Sequence, residues 1–223
     1  MSKRKNGTND EKTGRTTAVK RNRPLSAVKR EGIITTAGKL FIRNGYHAVS
    51  MDMIAAAVPV SKPTLYNHFS NKEALYRAVM ESRCALLSEL FDEALKDKTD
   101  IRATFNRIGV HFLDVVLSPQ SVGMYRVMIG ASGDFPELGR IFYEAGPRKL
   151  QAMLIDYLTT LDKAGTLKVA EPKLSALCFV NMIKGNVQMK ALLGLPKLPG
   201  PKARAQIVRH AVEIFLKGHG FKA

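Results

Sequence analysis

Along most of the chain, apolar side chains recur at the three- and four-residue intervals of an α-helix. The first such stretch consists of Ile33, Ala37, Leu40 and Phe41. These positions share one helical face, which can be buried while the other faces stay polar. Pro24 and Ser26 favour the start of this helix, and Gly45 favours its end. The pattern therefore predicts a first helix between these two points, with one buried stripe.

Two shorter helices follow, separated by a turn of about three residues. Ser50 can cap the first of them, and this helix ends by Pro59. Its apolar side consists of Met51, Ile54, Ala55 and Val58. Ser61 caps the second, and Pro63 in its first turn loses no hydrogen bond, because first-turn amides have no intrahelical partner. Such a pair predicts a helix-turn-helix, whose second helix can enter the major groove of DNA.

The second helix of this pair has two different sides. Leu65 and Phe69 lie four residues apart and form its apolar side. The opposite side carries Lys62, Pro63, Tyr66 and Asn67, with Thr64 and His68 at the flanks. These polar side chains can donate to and accept from base edges and phosphates. Three alternatives stay open: His68 as a core histidine, Tyr66 as a packing residue, and Lys62 as a solvated charge.

The rest of the chain is helical in pattern, without the alternation of a strand. Asn71 can cap a long fourth helix, and Asp134 and Glu137 have the spacing of a capping box for a later one. The predicted helices span about 72–96, 101–117, 119–130, 135–145, 147–164, 172–192 and 202–217. The fold class is therefore predicted to be all-α.

The net charge of the chain favours some classes of binding partner over others. The chain has 35 Lys and Arg against 19 Asp and Glu, a net charge of +16, which favours a polyanion such as nucleic acid or an anionic membrane surface. Half of this excess lies in the first 30 residues. Residues 1–25 have almost no large apolar side chain, so we expect a disordered basic tail. It either improves solubility or binds phosphates.

The sequence argues against several other classes. It has no apolar stretch long enough to span a bilayer and no secretory signal, so we expect a cytoplasmic protein. The tail lacks the apolar anchors of a membrane-surface protein. Cys84 and Cys178 are far apart and are expected to be buried apolar side chains. No nucleophile signature, phosphate loop or metal-ligand spacing occurs, so no catalytic residue, cofactor or metal is predicted.

The segment 41–76 resembles the DNA-binding domain of the TetR family of transcriptional regulators. The similarity includes Phe41, Gly45, Tyr46, Ile54, Ala55, Val60, Ser61, Thr64, Leu65, Tyr66, His68, Phe69, Lys72, Glu73 and Leu75. It implies that Lys62, Pro63, Thr64, Tyr66 and Asn67 face base edges and nearby phosphates. It also implies that Ser50, His68 and Lys72 hold the DNA backbone, and Ser61 joins the same predicted set. Pro59 replaces the usual glycine of the turn, so the turn must differ locally.

Residues from about 123 to 195 resemble the C-terminal domain of AefR-like members of that family. This resemblance implies a homodimer formed through the last helices and a pocket for a small molecule. The last helices carry wide apolar stripes: Leu174, Leu177, Cys178, Met182, Ile183, Ile207, Val208, Ala211, Val212 and Phe215. The predicted pocket residues are Phe91, Phe105, Phe112, Met124, Met128 and Phe142. Plain core packing is the alternative for each of them.

Three segments result: a tail at 1–25, a three-helix DNA-binding domain at 26–75, and a helical ligand-binding and dimerisation domain at 76–223. The expected function is a sequence-specific regulator, most simply a repressor, that an unknown small-molecule effector releases from a palindromic double-stranded operator. An architectural DNA-binding protein without ligand control is the alternative. Sequence-specific footprints would separate the two.

Overall fold

The structure, a computed structural model, describes residues 25–97 and 99–221. Within this part of the chain it consists of eleven helices and contains no strand, which confirms the all-α prediction. The helices are α1 (Leu25–Ala48), α2 (Met51–Ala57), α3 (Lys62–His68), α4 (Lys72–Lys96), α5 (Ile101–Val116), α6 (Pro119–Ala131), α7 (Pro136–Ala145), α8 (Pro147–Lys163), α9 (Pro172–Lys184), α10 (Val187–Leu192) and α11 (Pro201–Gly218). The predicted disordered tail, residues 1–25, lies outside the described residues apart from Leu25, where α1 begins. None of the described helices is long and apolar enough to cross a membrane.

The first four helices pack around a small aromatic core. Phe41, Tyr46 and Tyr76 lie in mutual contact, with ring centroids 5.4–5.8 Å apart. This core continues into α6 and α7, because Met124 and Ile141 belong to the same buried cluster. The predicted domain boundary at residue 75 falls within α4, and hydrophobic packing continues across it.

Backbone geometry explains how the helix-turn-helix accommodates its sequence. Gly45 adopts φ 78° and ψ 163°, which kinks α1 there and leaves one last turn up to Ala48. Val58 ends α2 in an extended conformation, and the Val60 amide donates to the Val58 carbonyl at 2.8 Å. No residue of this turn has a positive φ. The turn therefore tolerates Pro59, whose ring fixes φ near −65°.

Two local predictions were wrong. The single helix expected at 172–192 is broken into α9 and α10 at Gly185, which has φ 44° and ψ −141°. The expected capping box at Asp134 is absent, since Phe135 occupies the N-cap of α7 without a side-chain hydrogen bond. Glu137 instead forms ion pairs with Arg140 and Arg77.

The second core lies among α5, α8, α9 and α11. Phe105 is fully buried there, with its ring centroid 5.0 Å from that of Phe179 and 5.4 Å from that of Phe215. Much of the apolar stripe expected at a dimer interface is buried within the chain instead: Ile183, Val208, Ala211, Val212 and Phe215. Leu174 and Leu177 remain exposed. Cys178 is also exposed, contrary to expectation, and Cys84 is partly buried.

Candidate nucleic-acid interface and internal cavity

Helix α3 presents a polar face to solvent, as the spacing of its residues predicts. Leu65 and Phe69 anchor it, with exposures of 0% and 4%, whereas the Tyr66 side chain is 43% exposed. Lys62, Pro63 and Asn67 are exposed as well, and Thr64 and His68 are partly buried. The structure therefore brings the predicted base-facing residues together on one open surface.

The positive charge on this face has a partner that sequence reasoning missed. The Lys62 ammonium lies 2.6 Å from a carboxylate oxygen of Asp52, in the first turn of α2. The hydrogen bond to Asp52 and its charge raise the pKa of Lys62. The two helices of the motif are thus linked by an ion pair across the surface proposed for DNA.

The serines of the predicted set cap helices. The Ser50 hydroxyl oxygen accepts the Met53 amide at 3.1 Å, and that of Ser61 accepts the Thr64 amide at 3.4 Å. The Ser61 and Thr64 hydroxyl oxygens are also 2.8 Å apart. Ser50 uses its oxygen as an acceptor, which leaves its proton free to be donated to a phosphate at the start of α2.

Lys72, which the resemblance places at the DNA backbone, contacts the end of α1 in this structure. Its ammonium donates to the carbonyls of Tyr46, His47 and Val49 at 3.0, 3.5 and 2.9 Å. It also lies 4.3 Å from the centre of the Tyr46 ring. Burial lowers the pKa of this ammonium. Through these contacts Lys72 stabilises the end of α1, and the phosphate contact that the resemblance implies stays a prediction.

Between α4 and the helices α5–α9 lies a cavity of about 410 Å³. Four of the six predicted pocket residues line it: Phe91, Phe112, Met124 and Phe142. Phe105 does not, because it is packed among Phe179 and Phe215 in the neighbouring core. Met128 also lies outside the lining, one turn beyond Met124 on α6.

Other residues that line the cavity were not predicted from the sequence. They include Met80, Arg83, Cys84, Leu87, Ser121, Tyr125, Tyr143, Gln151, Val180, Asn181 and Lys184. The helical spacing of Met80, Cys84, Leu87 and Phe91 on α4 could have extended the predicted stripe toward the start of that helix. Burial raises the pKa of the Cys84 thiol and of the Tyr125 hydroxyl. The lining is therefore mostly apolar and aromatic, with a few polar groups.

The cavity walls also contact the helix-turn-helix. On α6, Gly123 lies so close to α1 that a Cβ there would be 2.8 Å from the Cγ2 of Ile42. Phe135, between α6 and α7, packs its ring 5.3 Å from those of Tyr46 and His47. Movement of α6 or α7 would therefore reach α1 and the residues just before α2. Within the described residues, no group of three or more His, Cys, Asp or Glu side chains could hold a metal ion.

Known protein families match both the helix-turn-helix part of the chain and the part that follows it. The family model for bacterial regulatory proteins of the tetR family matches residues 33–79. The model for the C-terminal domain of AefR-like transcriptional repressors matches residues 103–220. The transcriptional activator FasR of Mycolicibacterium smegmatis is 38% identical over 88 residues. That similarity covers 40% of each chain, so this chain spans well under two thirds of that relative.

Solved structures share the fold over nearly the whole chain. A TetR-family regulator from Mesorhizobium loti superposes with a TM-score of 0.79 at 24% identity, covering 88% of this chain and 98% of its own. The flavonoid-responsive regulator FrrA superposes with a TM-score of 0.71 at 29% identity, covering 86% and 97%. One family model covers α2, α3 and the adjoining parts of α1 and α4, and the other covers more than half of the chain. The protein therefore belongs to the TetR family of DNA-binding transcriptional regulators, with a C-terminal domain of the AefR-like type.

Proposed function

We propose that this chain is a repressor that binds a palindromic operator as a homodimer and releases it when a small molecule enters the cavity. One observation carries the proposal: α6 forms part of the cavity wall and packs directly against α1 of the DNA-binding part. Protein interiors are close-packed, so a wall helix cannot shift without moving its neighbours. A ligand that repositions α6 would therefore move α1, and with α1 the helix-turn-helix that contains α3.

The polar face of α3 supports the DNA-binding half of the proposal. In such a regulator, α3 lies in the major groove, with Tyr66 and Asn67 at base edges and the Ser50 hydroxyl on a phosphate. Two copies of α3 must lie about 34–36 Å apart to enter successive major grooves. A change in this separation breaks contacts in one half-site, which is how a ligand would weaken operator binding.

A second route runs from the cavity through α7. Phe142 lines the cavity and stacks edge-on against Tyr125 at 4.7 Å, which joins α7 to α6. At the other end of α7, its N-cap residue Phe135 contacts Tyr46 and His47, just before the cap of α2. A ligand that separates the two aromatic rings would therefore act on the base of the helix-turn-helix.

Relatives support control by a ligand and disagree on the direction of regulation. FrrA is named as flavonoid-responsive. The family model for the second half is described for repressors, whereas FasR is named as an activator. A cell lacking this protein should show raised transcription of the gene beside its operator. Lowered transcription would instead assign an activator.

Reciprocal titrations test ligand control. An operator duplex is first selected from random sequences by the purified protein, and flavonoids and other aromatic compounds are screened for an increase in Tm. The ligand Kd is then measured with and without the operator. We expect the operator to weaken ligand binding by about 5- to 150-fold, and the ligand to weaken operator binding by the same factor. Equal ligand affinities in both titrations would leave an architectural DNA-binding dimer without ligand control.

A further inference from the structure

One guanidinium at the cavity wall has no negative partner among the residues that the structure describes. Arg83, on α4, lines the cavity and is partly buried. No carboxylate in the described ranges 25–97 and 99–221 lies within ion-pair distance of it. Burial lowers its pKa, as expected for a cation removed from water without compensation. Charges that are partly removed from water are ordinarily paired, so an anion in the cavity would meet a cation for which no described carboxylate competes.

A glycine on α1 makes room for this guanidinium. A Cβ at Gly38 would lie 2.9 Å from the Nη2 of Arg83 and 3.3 Å from the Cγ1 of Val79. The Arg83 head group therefore lies between α1 and the cavity, in a space that a larger residue at position 38 would fill. This position confines the guanidinium near the wall of the cavity.

The remaining charges of the lining have the same sign. Lys184 is the second charged residue of the cavity wall, and no Asp or Glu belongs to that lining. The charge of Lys149 also reaches the interior, where it opposes the effect of burial on the pKa of Cys84. Cationic ligands would be repelled there, and anionic ones attracted.

The rest of the cavity fits an apolar body. Phe91, Phe112 and Phe142 form aromatic walls, and Tyr125 packs against Phe142. A volume of about 410 Å³ lies within the range of about 300–1,000 Å³ that is typical of small-molecule sites. We infer that the effector is an amphipathic anion, with an aromatic or long apolar body among these rings and a carboxylate, sulfonate or similar group bound by Arg83. This inference rests on the proposed function and names the class of molecule that the cavity takes.

Two fluorescent probes that differ by one anionic group test it. 1-Anilinonaphthalene-8-sulfonate carries a sulfonate, and N-phenyl-1-naphthylamine has the same aromatic body without it. We expect the wild-type protein to bind the sulfonate more tightly. Arg83→Met should weaken sulfonate binding by about 10- to 100-fold, the value of a charge-assisted hydrogen bond, and change binding of the neutral probe less than about 3-fold. Arg83→Gln serves as a second neutral variant, and the Tm of each variant reports whether it folds.

Control variants separate this charge effect from others. Arg43→Met makes the same change at an exposed arginine outside the lining and should leave the affinity for both probes unchanged. Val180→Trp places a large side chain at the cavity wall and should weaken the binding of both probes. This result would show that the probes bind in the cavity. If Lys184→Met weakens the sulfonate and Arg83→Met does not, the assignment to Arg83 is overturned.

The outcomes also separate this inference from the proposed function. Suppose that both probes bind equally well, that Val180→Trp weakens the binding of both, and that Arg83→Met changes neither affinity. The cavity then binds ligands but has no preference for anions. If neither these probes nor the screened compounds bind, ligand control itself fails. A parallel loss of both probes in a folded Arg83→Met protein would show that Arg83 shapes the cavity without recognising charge.

Discussion

At the scale of single residues, ion pairing determines which charges remain available on the surface of α3. Lys62 and Asp52 are both exposed, with 56% and 65% of their side chains accessible. Exposed ion pairs contribute little to stability, so this pair can open at little cost when DNA approaches. Asp52 would then bring negative charge close to phosphates.

Substitutions at the two partners are expected to change operator affinity in opposite directions. Lys62→Met removes a donor to bases or phosphates and should weaken binding by about 5- to 100-fold. Asp52→Asn frees the ammonium and removes a repulsive charge, so it should strengthen binding. Fluorescence anisotropy with the selected operator measures the affinity of both variants. Unchanged affinity in a folded Lys62→Met protein would make Lys62 a solvated charge.

Substitution of Lys72 distinguishes a role in protein stability from a direct contact with the DNA backbone. Lys72→Met leaves the carbonyls of Tyr46 and Val49 without their donor. We expect a loss of about 1–3 kcal/mol in the free energy of unfolding, measured by urea denaturation, with little change in operator affinity of the folded protein. Lys39→Met, at an exposed lysine of α1, is the matched control. Equal stabilities together with a large loss of operator binding would restore the phosphate contact that the family resemblance implies.

At the scale of helices, close crossings join the cavity to the DNA-binding part. Helices α1 and α6 meet where Gly123 faces Ile42, and α1 and α4 meet at Gly38. The α1–α6 crossing depends on the missing Cβ of Gly123, because a Cβ there would clash with the branched side chain of Ile42. The two halves of the chain therefore share an interface that is sensitive to a single added methyl group.

Substitutions at two glycines of α6 distinguish the effect of helix propensity on stability from the effect of this contact. A Cβ at Gly123 would lie 2.8 Å from the Cγ2 of Ile42, whereas at Gly130 it would meet no atom within 4 Å. Gly130→Ala should stabilise the protein by up to about 1 kcal/mol. Gly123→Ala should destabilise it by about 1–2 kcal/mol through overpacking, measured by thermal and urea unfolding.

Removal of the Ile42 side chain provides the check on this reasoning. The double variant Gly123→Ala, Ile42→Ala should recover at least about 0.5 kcal/mol relative to the sum of the single changes, because the clash is gone. Additive effects would mean that the added methyl group is accommodated elsewhere, and that α6 and α1 are not tightly coupled at this point.

At the scale of the whole molecule, operator binding by this mechanism needs two copies of the chain. Exposed apolar side chains remain on α9 and α11 after the core is formed, including Leu174, Leu177 and Ile214. An apolar surface of this kind marks an interaction site. We expect it to lie at the centre of the homodimer.

A charge placed in this surface should prevent dimerisation. Ile214, on α11, is 51% exposed, and Ile129, on α6, is 54% exposed. Ile214→Glu should give monomers by light scattering and abolish binding to the full palindrome, since a buried unpaired carboxylate is costly. Ile129→Glu matches it in chemistry and exposure and should stay dimeric. A dimeric Ile214→Glu protein would place the interface elsewhere.

The sequence alone determined what depends on local periodicity and on short-range hydrogen bonds. Helical spacing predicted most helices and the two sides of α3, and Ser50 and Ser61 cap their helices as predicted. These features involve residues within four positions of one another, where backbone geometry is the same in any context. The all-α fold class and the family followed from the same local motifs.

The tertiary structure decided which distant side chains meet. Lys72 and Tyr46 are 26 residues apart, and only folding brings the ammonium of one to the carbonyl of the other. Phe105 and Phe112 have the same chemistry and lie on the same helix, yet one is core and the other lines the cavity. Apolar periodicity says that a side chain is buried and not what lies opposite it. For the same reason, periodicity alone does not indicate that Arg83 lies at the cavity wall beside α1.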